Sequence, residues 1–220
     1  MKRTIYFLSF LIIVSCAPSR FVQPLEQGTH SVGFNAGGPL IEYSGKTIPV
    51  PLTGLFYGYG YKENLTLFGS LHTTSLAFGN FQTDIGATYK FLEQDKFIPS
   101  LSVSPVANIV FHFNDPNFKI WPQVDLNAYW EHGKNKNYLY LGISNWFELS
   151  GKKAHDEATL DRWLINPHIG YTYNTNSFSY SLEMKFLGLS HNNEYVFVPY
   201  QSFTGNSGAT GIFLGITKRF

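Results

Sequence analysis

The sequence predicts an all-β fold: a closed antiparallel transmembrane β-barrel of about ten strands (8–12), preceded by an N-terminal signal peptide. Three observations carry this expectation. Segments of about ten residues alternate apolar and polar side chains and are separated by turn-forming residues. Aromatic residues make up 17% of the chain and charged residues only 14%, a balance that suits aromatic girdles at two membrane interfaces. The one apolar run, near the N-terminus, has about ten residues, where a spanning helix needs roughly 20.

That run belongs to an export signal. Lys2 and Arg3 form a basic start and residues 5–14 the apolar centre. Ile13, Val14, Ser15 and Cys16 then resemble the lipobox of bacterial lipoproteins, in which a small residue precedes the cysteine that receives the lipid. Cys16 is the only cysteine, so it has no disulfide partner within the chain. The resemblance implies cleavage after residue 15 and a covalent lipid on Cys16. Residues 16–28 contain two prolines and no periodicity, and read as a lipidated tether. Surface-exported lipoproteins of some bacteria carry acidic residues just after the cysteine; none occurs at 17–21, so the resemblance implies a lipid in the periplasmic leaflet.

From residue 29 onward the strands are expected at 29–37, 49–61, 64–75, 79–91, 97–111, 119–132, 137–149, 162–173, 177–190 and 208–220. Short polar turns at 62–63, 92–96, 133–136 and 174–176 alternate with connections at 38–48, 112–118, 150–161 and 191–207, with 76–78 a short exception. Such asymmetry separates periplasmic turns from extracellular loops and puts both termini on the periplasmic side. Pro99, Pro105, Pro122 and Pro167 interrupt strand patterns and mark bulges, bends or ladder ends.

The faces are clearest in the middle. Phe81, Ile85, Tyr89 and Phe91 alternate with Gln82, Asp84, Thr88 and Lys90; Val124, Leu126 and Trp130 with Asp125, Asn127 and Glu131; Tyr180, Leu182 and Met184 with Ser181, Glu183 and Lys185. In a membrane barrel the apolar face meets lipid, whereas in a soluble barrel or sandwich it forms the core, and alternation alone does not separate the two.

The last stretch, residues 208–220, places Ile212, Leu214, Ile216 and Lys218 on one face and Gly211, Phe213, Gly215, Thr217 and Arg219 on the other, and ends on Phe220. It resembles the closing strand of bacterial outer-membrane barrels, apart from Lys218, where an apolar residue is usual. Together with the lipobox, this makes the chain similar to lipidated outer-membrane β-barrel proteins of Gram-negative bacteria. The resemblance implies an outer-membrane location with loops extracellular and outer-membrane lipid and proteins as partners.

The inward charges Asp84, Lys90, Asp125, Glu131, Glu183, Lys185 and Arg219, with Glu148, His72 and His168, mix both signs and are expected to form a paired polar plug. His72 with Ser75, and His155 with Asp156 and Glu157, lack a nucleophile motif, so no catalytic residue, metal site or cofactor other than the lipid is assigned. A formal charge of +1 gives no electrostatic case for nucleic acid. The loop at 191–206 carries Tyr195, Phe197, Tyr200 and Phe203, either a cap on the barrel mouth or a surface that docks a partner. The leading expectation is a non-enzymatic accessory or structural subunit of an outer-membrane machine for barrel assembly, secretion or uptake. A narrow channel or small-ligand carrier comes second and a lipid-modifying enzyme third.

Overall fold

The computed structural model describes residues 17–114, 118–151, 162–193 and 200–220. Eleven strands follow one another: β1 (His30–Tyr43), β2 (Lys46–Pro49), β3 (Leu52–Lys62), β4 (Leu65–His72), β5 (Asn80–Leu92), β6 (Ser100–His112), β7 (Phe118–His132), β8 (Asn137–Phe147), β9 (Trp163–Asn174), β10 (Phe178–Asn192) and β11 (Ser207–Arg219). A short helix, α1 (Thr73–Ala77), joins β4 to β5. All strands but β2 pair antiparallel with both neighbours, and β11 returns to pair with β1 from Ser31↔Arg219 to Pro39↔Gly211. The wall is therefore a closed barrel of ten strands, which leaves no open edge.

The period-2 pattern decides which way each strand faces. Asp84, Thr88, Asp125, Asn127, Glu183 and Lys185 are buried inside, while Ile85, Leu126, Leu182 and Leu214 are 60%, 48%, 52% and 60% exposed on the outside. Polar inside and apolar outside is the arrangement of a membrane barrel and the inverse of a soluble one. Lys218 lies on the outward face, exposed, one residue from the end of β11.

Three local differences from the sequence expectation have physical causes. Residues 38–48 are not a simple loop: β1 runs on past the barrel and folds back as β2, with Leu40↔Pro49 to Tyr43↔Lys46 in register. The two-residue turn is Ser44 at φ 52° and Gly45 at φ 71°, the left-handed pair whose twist matches a hairpin. The fourth strand ends at His72 instead of 75, because Thr73 opens α1. The connection after β5 is longer than a tight turn, since Pro99 delays β6 to Ser100. The prolines within strands each fall where one ladder is missing. Pro105 pairs with Val124 at the gap in the β5–β6 ladder, and Pro122 and Pro167 keep one partner strand where the other ladder has not begun. A residue without an N–H sits there without orphaning an acceptor.

Residues 17–28 run into the barrel. Gly28 N donates to Gly60 O at 2.8 Å near the short-turn end, where His30 and Phe220 exchange backbone bonds of 2.9 Å. From there the chain climbs to Ala17, whose carbonyl accepts from Lys185 Nζ at 3.1 Å, halfway along β10. The stretch read as a tether is thus extended but intraluminal, with Phe21, Val22 and Leu25 at 7%, 3% and 9% exposure. A segment with apolar side chains and a basic residue finds inside the barrel both apolar contacts and a carboxylate, which water does not supply.

Candidate functional site

The lumen is the candidate site, and it is built from wall residues that converge on this segment. Thr66, Thr88 and Ser102 are inward hydroxyls on β4, β5 and β6. Leu25 N donates to Thr66 Oγ1, Thr88 Oγ1 donates to Phe21 O, and Ser102 Oγ donates to Val22 O, each at 2.7 Å. The backbone groups that leave water are thereby satisfied.

Phe21 meets Phe56 edge-on at 5.7 Å between centroids and Phe68 at 5.8 Å, and together with Leu25 these form one buried apolar cluster. Val22 packs with Tyr129, Tyr138 and Tyr140. Small residues opposite make room: a Cβ on Gly58 would lie 2.4 Å from the Phe21 ring, and one on Gly60 would lie 2.0 Å from Glu26 O.

The polar centre is organised around two carboxylates. Asp84 Oδ2 accepts from Arg20 Nη2 at 2.8 Å, lies 3.0 Å from His72 Nε2, and also accepts from Ser70 Oγ. The Arg20 guanidinium stands 5.8 Å from the Phe56 ring centroid. Glu183 is 3.4 Å from Lys185 Nζ, accepts from Tyr140 OH at 2.9 Å, and takes Ser19 N at 3.2 and 3.1 Å on its two oxygens. Ser19 Oγ lies 3.2 Å from His168 Nε2. A cavity of about 20 Å3 remains between the segment and the wall, bordered by Arg20, Asp84, Asn108, Gln123 and Asp125, room for about one water.

The inward charges expected to pair with one another are thus only partly brought together. Glu183 meets Lys185, as two successive inward positions of β10. Asp84 finds its cation in Arg20 of the segment, not on the wall. Asp125 accepts from Gln123 Nε2 at 2.7 Å, and Glu131 accepts from Gln23 Nε2 of the segment at 3.0 Å. Lys90 turns to the exposed Glu93 at 3.2 Å near the short-turn end, and Arg219 donates to Thr175 O at that same end. Glu148 accepts from Trp121 Nε1 at 2.7 Å, away from the centre. Sequence reading missed Ser19, Arg20 and Phe21. The one available signal was Asp84 on an inward face with no wall cation assigned to it.

Ser75 donates to Gln82 Oε1 at 2.6 Å and not to His72. His72, Ser70 and Arg20 all converge on Asp84, so the acid is the hub; a nucleophilic triad needs the histidine between serine and acid. His155, Asp156 and Glu157 lie outside the described residues, as do Cys16, Tyr195 and Phe197. Tyr200 is described: it packs on Leu187, Ala209 and Phe213 and bridges to Ile41, while Gln201 N donates to Leu40 O at 2.8 Å. That part of the loop caps the long-loop rim. Phe203 is 73% exposed beside it.

Solved structures with the same architecture are outer-membrane β-barrels. The translocator domain of the autotransporter NalP from Neisseria meningitidis has a TM-score of 0.50 at 9% identity, covering 100% of this chain and 94% of that one. The outer-membrane protein OprG from Pseudomonas aeruginosa matches at 0.34 and 13% identity over 90% and 99% of the two chains. The N-terminal β-barrel domain of Pseudomonas aeruginosa OprF matches at 0.34 and 12% over 89% and 100%. The chain has the fold of an outer-membrane β-barrel. No protein-family model matches it, and no curated protein is detectably similar to it. The shared fold carries no activity with it.

Proposed function

We propose that this chain is a non-enzymatic outer-membrane β-barrel lipoprotein that serves as an accessory or structural subunit of a larger outer-membrane machine. The observation that carries the proposal is the filled lumen. Residues 17–28 pack on Phe56, Phe68 and Tyr129 and bond to Thr66, Thr88, Ser102 and Glu183, so a segment of the chain itself occupies the lumen where a solute would pass. What the barrel offers its surroundings is then its apolar belt and its rims. At the long-loop rim the β1–β2 hairpin projects with Tyr43 65% and Ile48 37% exposed, and Phe203 stands near it. The fold supports a location in the outer membrane, and the length asymmetry supports the reading in which the loops face outside and the turns the periplasm.

The lipid on Cys16 fits this reading if the segment can leave the lumen. Cys16 is bonded to Ala17, and consecutive Cα atoms lie about 3.8 Å apart. Ala17 sits against the buried Lys185 in the polar interior, where acyl chains would meet charge instead of lipid. Twelve extended residues reach roughly 40 Å, so the segment puts the lipid at the short-turn mouth when it is out of the lumen and closes the barrel when it is in.

Two measurements test the proposal. Purification from outer membranes in mild detergent, followed by mass spectrometry, is expected to return a stoichiometric outer-membrane partner; a protein that purifies alone overturns the subunit reading. Intact mass is expected to show a lipidated N-terminus at Cys16 that is lost in Cys16→Ser, and cleavage elsewhere without lipid overturns the lipoprotein reading.

A further inference from the structure

The lumen holds residues 17–28 as a site holds a ligand. None of these residues belongs to a strand. In the middle of the segment the bonds to its main chain come from wall side chains: Thr66, Thr88 and Ser102 at 2.7 Å and Lys185 at 3.1 Å, with Glu183 taking Ser19 N. Bonds of this kind read an extended backbone whatever its side chains.

Selectivity comes from two pockets. One is the Phe56 and Phe68 pair around Phe21, floored by Gly58, whose missing Cβ would otherwise lie 2.4 Å from the ring. The other is Asp84, to which the wall itself offers Ser70 and His72. Leaving the histidines aside, the buried acidic and basic wall side chains among the described residues are Asp84, Asp125 and Glu183 against Lys185, three carboxyl groups to one amine. The guest supplies a further cation, Arg20, whose side chain is 4% exposed.

We propose that the lumen is a binding site for an extended peptide carrying an arginine followed by an aromatic and an aliphatic residue. Residues 17–28 occupy it in cis, and a segment of the same chemistry from the partner protein enters when they are drawn out. The identity of that second guest rests on the accessory-subunit reading; the site itself does not. Buried carboxylates without a cation are strongly unfavourable, which selects against neutral and acidic guests.

The test uses the full-length, folded protein. Residues 26–28 are exposed, so a protease site inserted after Gln27 is reachable, and cutting there leaves the segment held without a covalent link. A fluorescent synthetic peptide of residues 17–27 is expected to exchange into the cut barrel. The same peptide with Arg20→Ala is expected to bind about tenfold or more weakly, the size of effect that follows from stranding Asp84. In a barrel carrying Asp84→Asn this preference is expected to disappear or reverse, because the Arg20 guanidinium is then the group left without a counter-charge. Heat-modifiability on gels reports the fold in each sample. A folded, cut barrel that never releases its segment, or that takes up no labelled peptide at millimolar concentration, overturns the proposal; so does equal binding of the Arg20→Ala peptide to the unmodified wall. A failed search for a partner removes the accessory reading and leaves these results standing.

Discussion

Arg20 and Asp84 lie 64 positions apart in the chain and 2.8 Å apart in the lumen, with side chains 4% and 3% exposed. The pair joins a residue outside the sheet to a strand of the wall, and it gives a guanidinium to a carboxylate that the wall itself meets with Ser70 and His72. A buried ion pair is weak evidence for net stability, because desolvating two charges offsets most of their attraction. Its directional content is larger: it fixes which residue of the segment stops at which height.

Removing one member should therefore matter more than removing both. Arg20→Ala is expected to destabilise the barrel by about 3–5 kcal/mol, and Asp84→Asn added to it should recover much of that loss. Urea unfolding in lipid vesicles, followed by tryptophan fluorescence, measures both. A single mutant within about 0.5 kcal/mol of the parent would show that the pair does not form.

Gly58→Val tests whether the wall is shaped for Phe21. The added side chain begins 2.4 Å from the ring and cannot be accommodated while the segment stays. Limited proteolysis is expected to cut residues 17–28 faster, with heat-modifiability of the barrel unchanged, since Gly58 remains paired with Ser31 and Phe68.

The outward face should show the depth dependence of a membrane belt. Leu126 is 48% exposed in the middle of β7, between Val103 and Ile143. Leu126→Arg is expected to cost about 2–4 kcal/mol in a bilayer. In a soluble protein the same substitution on an exposed position would stay within about 0.5 kcal/mol, so the measurement also checks the membrane assignment.

At the long-loop rim, Tyr200 and Phe203 should separate. Tyr200 packs against Leu187, Ala209 and Phe213, and Tyr200→Ser is expected to lower stability by about 2–4 kcal/mol through the cavity it leaves. Phe203→Ser, at a site 73% exposed, should leave stability unchanged and weaken retention of a co-purifying partner. Equal loss of stability in both would assign the whole described rim to capping.

Much of the wall was legible in the sequence because a strand writes its two faces into adjacent residues. Asp84 and Ile85, Asp125 and Leu126, and Glu183 and Leu182 fall on opposite faces by parity alone. Ten strand segments and the unequal connections were likewise local signals. The hairpin at residues 40–49 was hidden because β1 changes partner along its length, from β3 to β2, and nothing in a single strand records where that happens. Ser44 and Gly45 marked the turn, but flanking residues with no strong alternation obscured the strands on either side.

By itself the sequence determined where strands lie and which residues share a face, because both depend on residues two positions apart. Tertiary structure decided which face was inside, since apolar-out and apolar-in barrels have the same alternation and differ only in what surrounds them. It also decided that residues 17–28 enter the lumen. That outcome depends on Arg20, Phe21 and Val22 meeting Asp84, Phe68 and Tyr140 from distant strands, and such complementarity exists only once the barrel has closed.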